Sequence, residues 1–399
     1  MLSIKSIIYY IEIKCVVKCL LFWYLEHKIV IAMKDEELLY ALALQKAKGV
    51  GDTLAKKLIQ YCGSPKKVWN SKISSLSKIP GVGTVRLNNF HGSDLLNKAE
   101  SELKYLRDHK IQHWYFQDED YPFRLKHCVD GPLLLFKRGK SNLLQQRIIS
   151  VVGTRNMTAY GRMFLEKLLS ELKPFNPLIV SGFAYGVDIC AHREALKNKL
   201  ETVAVLAHGF EEMYPKVHKK YVQEVYENGA FLTDAWHDDE LIRESFLKRN
   251  RIVAGISEAT IVIESAEKGG SLVTADIANS YNRDVFAVPG RFMDTFSKGC
   301  NDLIRLNKAA MLTESSDLVQ MLNWELSSKS IPAVQKQLFV ELDNDEQKIY
   351  DYLMENGKQL VDLIALDCEL PIRQVSSLLF NLEMKGVVRP SPGKLFEAV

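Results

Sequence analysis

The chain has 399 residues, of which 47% are apolar and 25% are charged, and its formal net charge at pH 7 is +3. That length exceeds one ordinary compact core and predicts two or three domains. The small net charge excludes a strongly basic protein, so any nucleic acid must be held by local basic clusters. The seven cysteines form no CxxC pair and no Cys/His cluster. This argues against a zinc site and a disulfide framework, and it is typical of a protein in the reducing cytoplasm.

Residues 1–32 contain an apolar and aromatic stretch that Glu12, Lys14 and Lys18 interrupt. A membrane span needs about 20 mostly apolar residues in a row, and the stretch lacks the small-residue cleavage site of a signal peptide. We interpret residues 1–32 as a mis-assigned extension ahead of a true start at Met33. A membrane-anchoring tail is the alternative, and we expect no membrane partner.

Residues 33–105 are predicted to form a helix-hairpin-helix module, because they contain two near-matching glycine turns. One turn is Lys48–Gly51 and the other is Ile79–Gly83. The glycines permit a tight turn and leave backbone N–H groups free at the next helix start, where a DNA phosphate can bind. A plain helical hairpin with glycine caps is the alternative. The tandem repeat favours DNA binding, although the turns are only weakly basic and a packing role stays open.

Residues 106–324 are predicted to form a Rossmann-like α/β domain with a doubly wound, mostly parallel sheet. Short apolar runs alternate there with amphipathic helical patterns, which is typical of parallel sheets. Ligands on such sheets bind beyond the carboxyl ends of the strands, so functional residues should follow the strands directly. The predicted strands are residues 148–152, 178–180, 202–206, 230–232, 259–263, 285–288 and 309–312.

The end of the chain is predicted to be a polar linker, residues 325–343, and a winged-helix domain, residues 344–399. Three helical patterns are followed by a two-stranded wing around Pro390–Gly393, which is the winged-helix order. The third helix carries little positive charge, mainly Arg373 and Lys385. This favours a protein-interaction or auxiliary role over the reading of duplex DNA.

Three consecutive predicted strands end in loops that contain glycine. These loops include Gly153–Arg155, Ser181-Gly182 and Gly209. Glycine lets a ligand approach the backbone, and the helix that starts at Tyr160 offers N–H donors. The Arg155 guanidinium can bind a phosphate through two parallel hydrogen bonds. A lone glycine is common in such turns, but three in series favour a phosphate-bearing ligand.

A fourth segment, Lys248–Arg251, places three cations and an amide where the pattern predicts the start of an apolar helix. The helix dipole disfavours cations at that end, and a nucleic-acid backbone would compensate them. Internal pairing of Arg249 or Arg251 with Asp234 or Glu264 is the alternative. We expect one of these arginines to be structural and the other, with Lys248, to face the ligand.

A fifth loop contains Gly269–Ser271, whose successive N–H groups predict an anion nest. The remaining candidate is His192, four residues after Asp188 on one helix face. We favour a structural Asp–His pair over a catalytic role. The sequence has no Ser–His–Asp order, metal-ligand spacing or Walker lysine motif, so we predict no catalytic residue, no metal and no cofactor.

These segments, in this order, resemble the DNA-processing protein A family, also called DprA or Smf. The resemblance extends over about two-thirds of the chain, and the hairpin module and winged helix match the longer members of the family. The stretches that carry it are YP at 121–122, GPLLLF at 131–136, VVGTR at 151–155, VSGFAYGVDICAH at 180–192, Gly209 to Tyr214-Pro215, FLKRNRIVAG at 246–255, ESAEKGGSLVTADIA at 264–278 and FAVPG at 286–290.

The resemblance implies an extended Rossmann-like domain that binds single-stranded DNA, self-associates as a homodimer and loads the RecA recombinase in natural transformation. It implies a binding protein and not an enzyme. The third loop, with Ala207 and His208, and the aromatic Phe183 and Tyr185 depart from the family pattern. Carried over by position, the DNA site comprises Gly153, Thr154, Arg155, Ser181, Gly182, Lys248, Arg249, Asn250, Arg251, Gly269, Gly270 and Ser271.

Two other functions compete with this one. The first is a nucleotide-processing enzyme of the lonely-guy phosphoribohydrolase type, which uses a Pro-Gly-Gly-x-Gly-Thr loop and a catalytic glutamate. This chain lacks that proline and the later glycine, and Ala275 and Asp276 stand where the glutamate is required. The second is a duplex-DNA regulator acting through the winged helix, which the weakly charged third helix disfavours.

Overall fold

The computed structural model describes residues 35–82, 94–145, 147–324, 342–391 and 395–398. The chain divides into two compact units, one up to residue 326 and one from residue 327 onward. Residues 1–32, most of the predicted linker and Gly83 of the second glycine turn lie outside the described residues. The finer domain boundaries stay predictions.

Helices precede the sheet in the first unit. The first turn of the helix Asp35–Lys46 contains Asp35, Glu36 and Glu37, and acidic residues at a helix N-terminus complement the helix dipole. The first predicted glycine turn joins the first two helices, with Gly49 in the left-handed region at a φ of 82°. The helices are α1 (Asp35–Lys46), α2 (Asp52–Cys62), α3 (Pro65–Trp69), α4 (Ile73–Leu76) and α5 (Leu95–Asp108).

A nine-stranded sheet with the order β1-β2-β6-β5-β4-β3-β7-β8-β9 forms the centre of the first unit. The seven strands β3 to β9 pair in parallel with their neighbours in the sheet. At one edge, β2 pairs antiparallel with β6 and β1 pairs antiparallel with β2. This antiparallel edge was not predicted from the sequence. The strands are β1 (Gln112–Tyr115), β2 (Leu134–Gly139), β3 (Ile148–Val152), β4 (Leu178–Ser181), β5 (Thr202–Val205), β6 (Gly229–Thr233), β7 (Ala259–Val262), β8 (Asp284–Ala287) and β9 (Ala310–Met311).

Helices cover both faces of this sheet, and the sheet separates two apolar cores. Residues along a strand point alternately to opposite faces, so Ile148 and Val152 enter one core while Ile149 and Val151 enter the other. The helices are α6 (Phe123–Lys126), α7 (Ala159–Leu172), α8 (Val187–Lys197), α9 (Val222–Asn228), α10 (Arg243–Ile256), α11 (Gly270–Ser280), α12 (Lys298–Arg305) and α13 (Ser315–Met321), with 3-10 turns at Lys173–Phe175 and Lys216–Tyr221.

The start of α10 corrects one prediction. The sequence pattern placed Lys248–Arg251 at a helix N-terminus, but α10 begins at Arg243, so these residues lie in its middle. The error arose because the apolar run that signals the helix begins only at Ile252, while the first turns are polar and charged. The cations therefore face no helix-dipole penalty, and their orientation around the helix decides what they contact.

The second unit is a winged-helix domain around a small apolar core. Asp343 and Glu346 form a reciprocal capping box at its first helix, which satisfies free N–H groups there. The structure adds a third strand to the predicted two-stranded wing, in the order β10-β12-β11. The elements are α14 (Asn344–Asn356), β10 (Gln359–Leu360), α15 (Val361–Asp367), α16 (Ile372–Met384), β11 (Val388–Ser391) and β12 (Leu395–Ala398).

The structure confirms the predicted fold class: a mostly parallel α/β sheet with N-terminal helices and a C-terminal winged helix. Within the ranges that the structure describes, every helix is too short or too polar to cross a membrane.

Candidate nucleic-acid interface

A cavity of about 790 Å³ opens where the loops after β3, β4 and β7 meet α10 and the start of α11. This is the carboxyl edge of the parallel strands, where ligands bind in open α/β sheets. We call it the carboxyl-edge cavity. Its lining includes Gly153, Thr154, Arg155, Gly182, Ala184, Asp188, Tyr214, Arg243, Phe246, Leu247, Arg249, Asn250, Lys268, Gly269, Gly270, Ser271 and Thr274.

Exposed cations stand at three places on the wall of this cavity: Arg155 after β3, Arg243 on α10 and Lys268 after β7. None of the three has an ion-pair partner within the described part of the chain. The Arg155 guanidinium carbon lies 5.5 Å from the centre of the Phe246 ring, within the range of a cation–π contact. The Tyr214 ring meets Phe246 edge-on, 5.8 Å away. The cavity thus offers exposed positive charge beside an aromatic face.

The N-terminus of α11 opens into the cavity. Its N-cap is Gly269, and no side chain among the described residues caps it. A Cβ atom at Gly270 would have nothing within 4 Å, whereas one at Gly269 would lie 2.3 Å from Ser265 Oγ. The first N–H groups of a helix have no intrahelical partner and attract anions. A phosphate can therefore reach these N–H groups past Gly270.

The N-terminus of α7, which was also predicted to offer N–H donors to phosphate, is already filled. The Thr158 N–H donates to Glu264 Oε2 at 2.8 Å, and the Thr158 hydroxyl donates to the other carboxylate oxygen. A Cβ atom at Gly161 would lie 2.6 Å from Glu264 Oε2, so Gly161 makes room for this carboxylate and not for a ligand. The prediction for this helix start is wrong, because an internal anion occupies it.

Gly182 makes room for two buried charged groups at the floor of the cavity. A Cβ atom there would lie 2.4 Å from Arg249 Nη2 and 2.5 Å from Asp188 Oδ2. The Arg249 guanidinium also donates to the carbonyls of Gly182 and Val205. Burial raises the pKa of the Asp188 carboxyl and lowers the pKa of the Arg249 guanidinium. Arg249 therefore ties the ends of β4 and β5 together beneath the cavity.

Arg251 and Lys248 lie on a different face of α10, away from the carboxyl-edge cavity. Arg251 Nη2 lies 2.5 Å from Asp234 Oδ2 and 3.0 Å from Asp52 Oδ2, and Lys248 Nζ lies 3.2 Å from Asp234 Oδ2. Burial alone would raise the pKa of Asp234, but Arg251 and Lys248 outweigh it and hold that pKa below its usual value. The predicted internal pairing of one arginine with Asp234 is confirmed for Arg251.

The structure brings together nine of the twelve predicted DNA-site residues and leaves three outside the cavity. Ser181 is fully buried and donates its hydroxyl to the Val151 carbonyl at 2.6 Å. Lys248 and Arg251 face another groove, so they do not line the carboxyl-edge cavity together with Arg155. The residues that line the cavity are Gly153, Thr154, Arg155, Gly182, Arg249, Asn250, Gly269, Gly270 and Ser271.

The lining residues that were missed from the sequence include Tyr214, Arg243, Phe246 and Lys268. Helical spacing could have found two of them, because residues three, four and seven apart share one helix face. Arg243, Phe246, Asn250 and Val253 follow that spacing on α10 and all line the cavity. Knowing where α10 begins was the missing step.

His192 is fully buried outside this lining. Its Nδ1 lies 2.7 Å from the Thr202 hydroxyl, so the predicted pairing with Asp188 is wrong. Thr202 donates its own proton to the Ile179 carbonyl at 2.9 Å, and His192 Nδ1 must then be the donor to Thr202. Burial lowers the pKa of His192 to about 3. The imidazole is thus neutral at physiological pH and holds the start of β5 to α8.

A cluster of Glu102, His237 and Asp238 brings three metal-type ligand atoms within 4.8 Å of one another, away from the cavity lining. Glu102 already accepts a hydrogen bond from the His237 backbone N–H at 3.2 Å. The contact between Glu102 and His237 joins α5 to the loop after β6. The prediction of no metal and no cofactor stays a prediction.

The fold and this cavity define a class: a Rossmann-like α/β protein with an open, cation-lined cavity at the carboxyl edge of its sheet and an added winged-helix domain. A family model described as DNA recombination-mediator protein A matches residues 112–323, and a DprA winged helix domain model matches residues 335–394. The chain belongs to this DNA processing protein A family, DprA or Smf, as the sequence motifs implied.

Individual relatives agree with this assignment. Protein Smf from Synechocystis is 28% identical over 400 residues, covering 92% of this chain and all of that protein. DNA processing protein DprA from Bacillus subtilis is 34% identical over 253 residues, covering 61% of this chain and 85% of that protein. The structure of DNA processing protein A from Streptococcus pneumoniae matches with a TM-score of 0.60 at 27% identity, covering 72% of this chain and 98% of that one.

Proposed function

We propose that this protein binds single-stranded DNA in the carboxyl-edge cavity and hands it to the RecA recombinase. One observation carries the proposal: three exposed cations surround a helix start that no described side chain caps. Cations and backbone N–H groups recognise phosphate regardless of base. The binding should therefore have weak sequence preference.

The shape of the site supports a polymer over a small metabolite. Small-molecule pockets bury most of their ligand's surface, whereas Arg155, Arg243 and Lys268 remain exposed around an open rim. These cations lie on three different elements, so they can contact successive phosphates of a passing strand. The half-buried Phe246 ring beside them offers a surface on which an unpaired base can stack. A duplex keeps its bases stacked inside and cannot use that surface.

The contacts of Asp276 weaken the enzyme alternative. A phosphoribohydrolase of the kind considered above needs a carboxylate in the site after its glycine loop. Asp276, the carboxylate closest in sequence to that position, is exposed and pairs with Lys308 at 2.9 Å, and Ala275 beside it is buried in the core. We propose a binding role without catalysis.

The partners rest on membership of the recombination-mediator family. We propose that the protein acts in the cytoplasm as a homodimer and protects incoming DNA during natural transformation. The winged helix fits contact with protein better than contact with duplex DNA. Lys385 pairs with Glu346, while Phe380 and Met384 of α16 are 61% and 75% exposed, so α16 presents apolar groups where a DNA reader needs cations.

The decisive experiment compares the affinity for single-stranded and duplex DNA of equal length at matched salt. We expect tighter binding of the single strand and a log–log salt slope of about −0.7 for each phosphate contact. Equal affinity for both forms would overturn the proposal. Release of free base from nucleoside monophosphates would instead support the enzyme.

A further inference from the structure

A second groove, of about 620 Å³, lies on the other side of α10 from the carboxyl-edge cavity. It forms where the N-terminal helices pack against α10 and α11. We call it the hairpin groove, because both glycine turns that the sequence singled out contribute to it. Its lining is Gly49, Gly51, Asp52, Thr53, Leu54, Lys57, Gly81, Asp130, Leu247, Lys248, Arg251 and Ile277.

The two glycine turns meet at this groove although about thirty residues separate them in sequence. Gly49 and Gly81 both have positive φ, 82° and 77°, which only glycine adopts readily. A Cβ atom at Gly81 would lie 3.2 Å from Lys57 Nζ, so the second turn lies directly beside a lysine of α2. The repeat therefore builds one wall of a single site.

The groove carries cations on two of its walls. Lys57 on α2 is exposed and has no ion-pair partner within the described ranges, and Lys248 on α10 is 53% exposed. Lys248 contacts Asp234, but Asp234 also has Arg251. Lys248 can therefore turn to an incoming phosphate without leaving a buried carboxylate unpaired.

The carboxylates of the groove are committed to internal partners. Asp52 accepts a hydrogen bond from the Leu133 N–H at 2.8 Å and pairs with Arg251, while Asp130 accepts one from the Tyr281 hydroxyl. The charge of Asp52 faces Arg251, and Asp130 lies within electrostatic range of Lys56 and Arg251. Lys57 and Lys248 are the exposed cations of the groove, and an anion can reach them.

Leu247 connects the hairpin groove to the carboxyl-edge cavity, because it lines both. It is 49% exposed. A groove of this size that shares a lining residue with the first site is suited to an occupant that extends from that site.

We propose that the hairpin groove binds the sugar–phosphate backbone of the same single-stranded DNA as it leaves the carboxyl-edge cavity across Leu247. This inference rests on the proposed function of that cavity. It assigns Lys57, Gly49 and Gly81 to DNA contact, and it moves Lys248 from the first site to this one. The strand then spans both faces of α10.

The test measures binding of oligothymidylates from about 4 to about 20 nucleotides, the range of known single-strand sites and beyond, over a series of salt concentrations. Lys57→Gln should weaken binding of the long oligonucleotides several-fold and make their log–log salt slope shallower by about 0.7, the value for one lost phosphate contact. It should leave binding of the shortest oligonucleotides unchanged. Lys67→Gln, an exposed lysine on α3 of the same module, is the matched control and should change neither.

Each other outcome overturns the inference in a distinct way. No loss with long oligonucleotides shows that the strand does not enter the groove, and equal loss at every length shows that Lys57 acts on the first site or on the fold. If Lys57→Gln weakens only the binding of a duplex of the same length, titrated in parallel, the groove is a duplex site. Arg155→Ala separates the two proposals: if it weakens binding at all lengths while Lys57→Gln weakens none, only this inference fails, and if it weakens none, the proposed function itself fails.

Discussion

Arg251 Nη2 lies 3.0 Å from Asp52 Oδ2, and the two residues are 199 positions apart in the chain. Arg251 also pairs with Asp234, and its side chain is only 7% exposed. The contact fastens α2 of the N-terminal helices to α10 of the sheet domain. The hairpin groove and the carboxyl-edge cavity share α10, so this ion pair fixes the geometry of both.

The first prediction follows from that contact. Arg251→Ala leaves two buried carboxylates without their main partner and should destabilise the first unit by about 3–5 kcal/mol. Urea unfolding followed by far-ultraviolet circular dichroism measures the change. Lys98→Ala, which removes a side chain that is 67% exposed in its own ion pair, should cost at most about 1 kcal/mol. An equal, small effect of both substitutions would show that the Arg251 pair does not join the modules.

Most of the sheet and the edge that carries the site could be predicted from the sequence. Buried parallel strands read as short apolar runs, and β3 to β8 gave that signal together with glycine loops after β3 and β4. The orientation of α10 could not be predicted, because no apolar period marks its first turns. Without that orientation, the sequence placed Lys248 in the same set of DNA-site residues as Arg155, although Lys248 lines the other groove.

Contacts between distant residues were also beyond the sequence. Glu264 fills the N-terminus of α7 from 106 positions away, and no local pattern distinguishes such a helix start from the open one at Gly270. The pairing of Arg251 with Asp52 could not be predicted for the same reason, because the two residues are 199 positions apart. Local patterns locate donors, but only the packed structure shows which donors are still free.

The second prediction concerns Arg155. Its guanidinium is exposed beside Phe246, and hydrogen bonds to charged groups contribute roughly 1.5–3 kcal/mol. Arg155→Ala should therefore weaken single-stranded DNA binding by about one to two orders of magnitude with an unchanged melting temperature. Fluorescence anisotropy and thermal melting on the same samples measure both. A large drop in melting temperature with intact binding by the folded fraction would mean that Arg155 is structural.

The third prediction uses Gly270, where stability and binding should change in opposite directions. A side chain fits there, since a Cβ atom would have nothing within 4 Å, and an aspartate in the first turn of a helix is favourable by about 0.3–1 kcal/mol. Gly270→Asp should keep or raise the melting temperature while it places a negative charge where phosphate is proposed to bind. DNA titration should show a loss of at least tenfold.

Gly182→Ala is the contrasting variant for that experiment. Its Cβ atom would lie 2.4 Å from Arg249 Nη2, so this substitution should lower the melting temperature itself. If Gly270→Asp binds DNA as tightly as the unmodified protein, the start of α11 is not a phosphate site.

The fourth prediction concerns the pH dependence of stability at His192. Its pKa is about 3 in the folded protein and about 6.5 in an unfolded chain. Below about pH 6.5 the unfolded chain takes up a proton that the folded protein refuses, so the free energy of unfolding falls as the pH drops. Between the folded and the unfolded pKa, His192 changes the free energy of unfolding by up to about 1.4 kcal/mol per pH unit. Above about pH 7 its effect on the slope vanishes.

His192→Gln should remove this contribution, because the glutamine side chain does not titrate. Urea unfolding at several pH values between about 5 and 7.5 should show a shallower loss of stability on acidification in the variant than in the unmodified protein, whatever the absolute cost of the substitution at neutral pH. Identical slopes in the two proteins would show that His192 is protonated equally in the folded and unfolded states and would contradict the prediction.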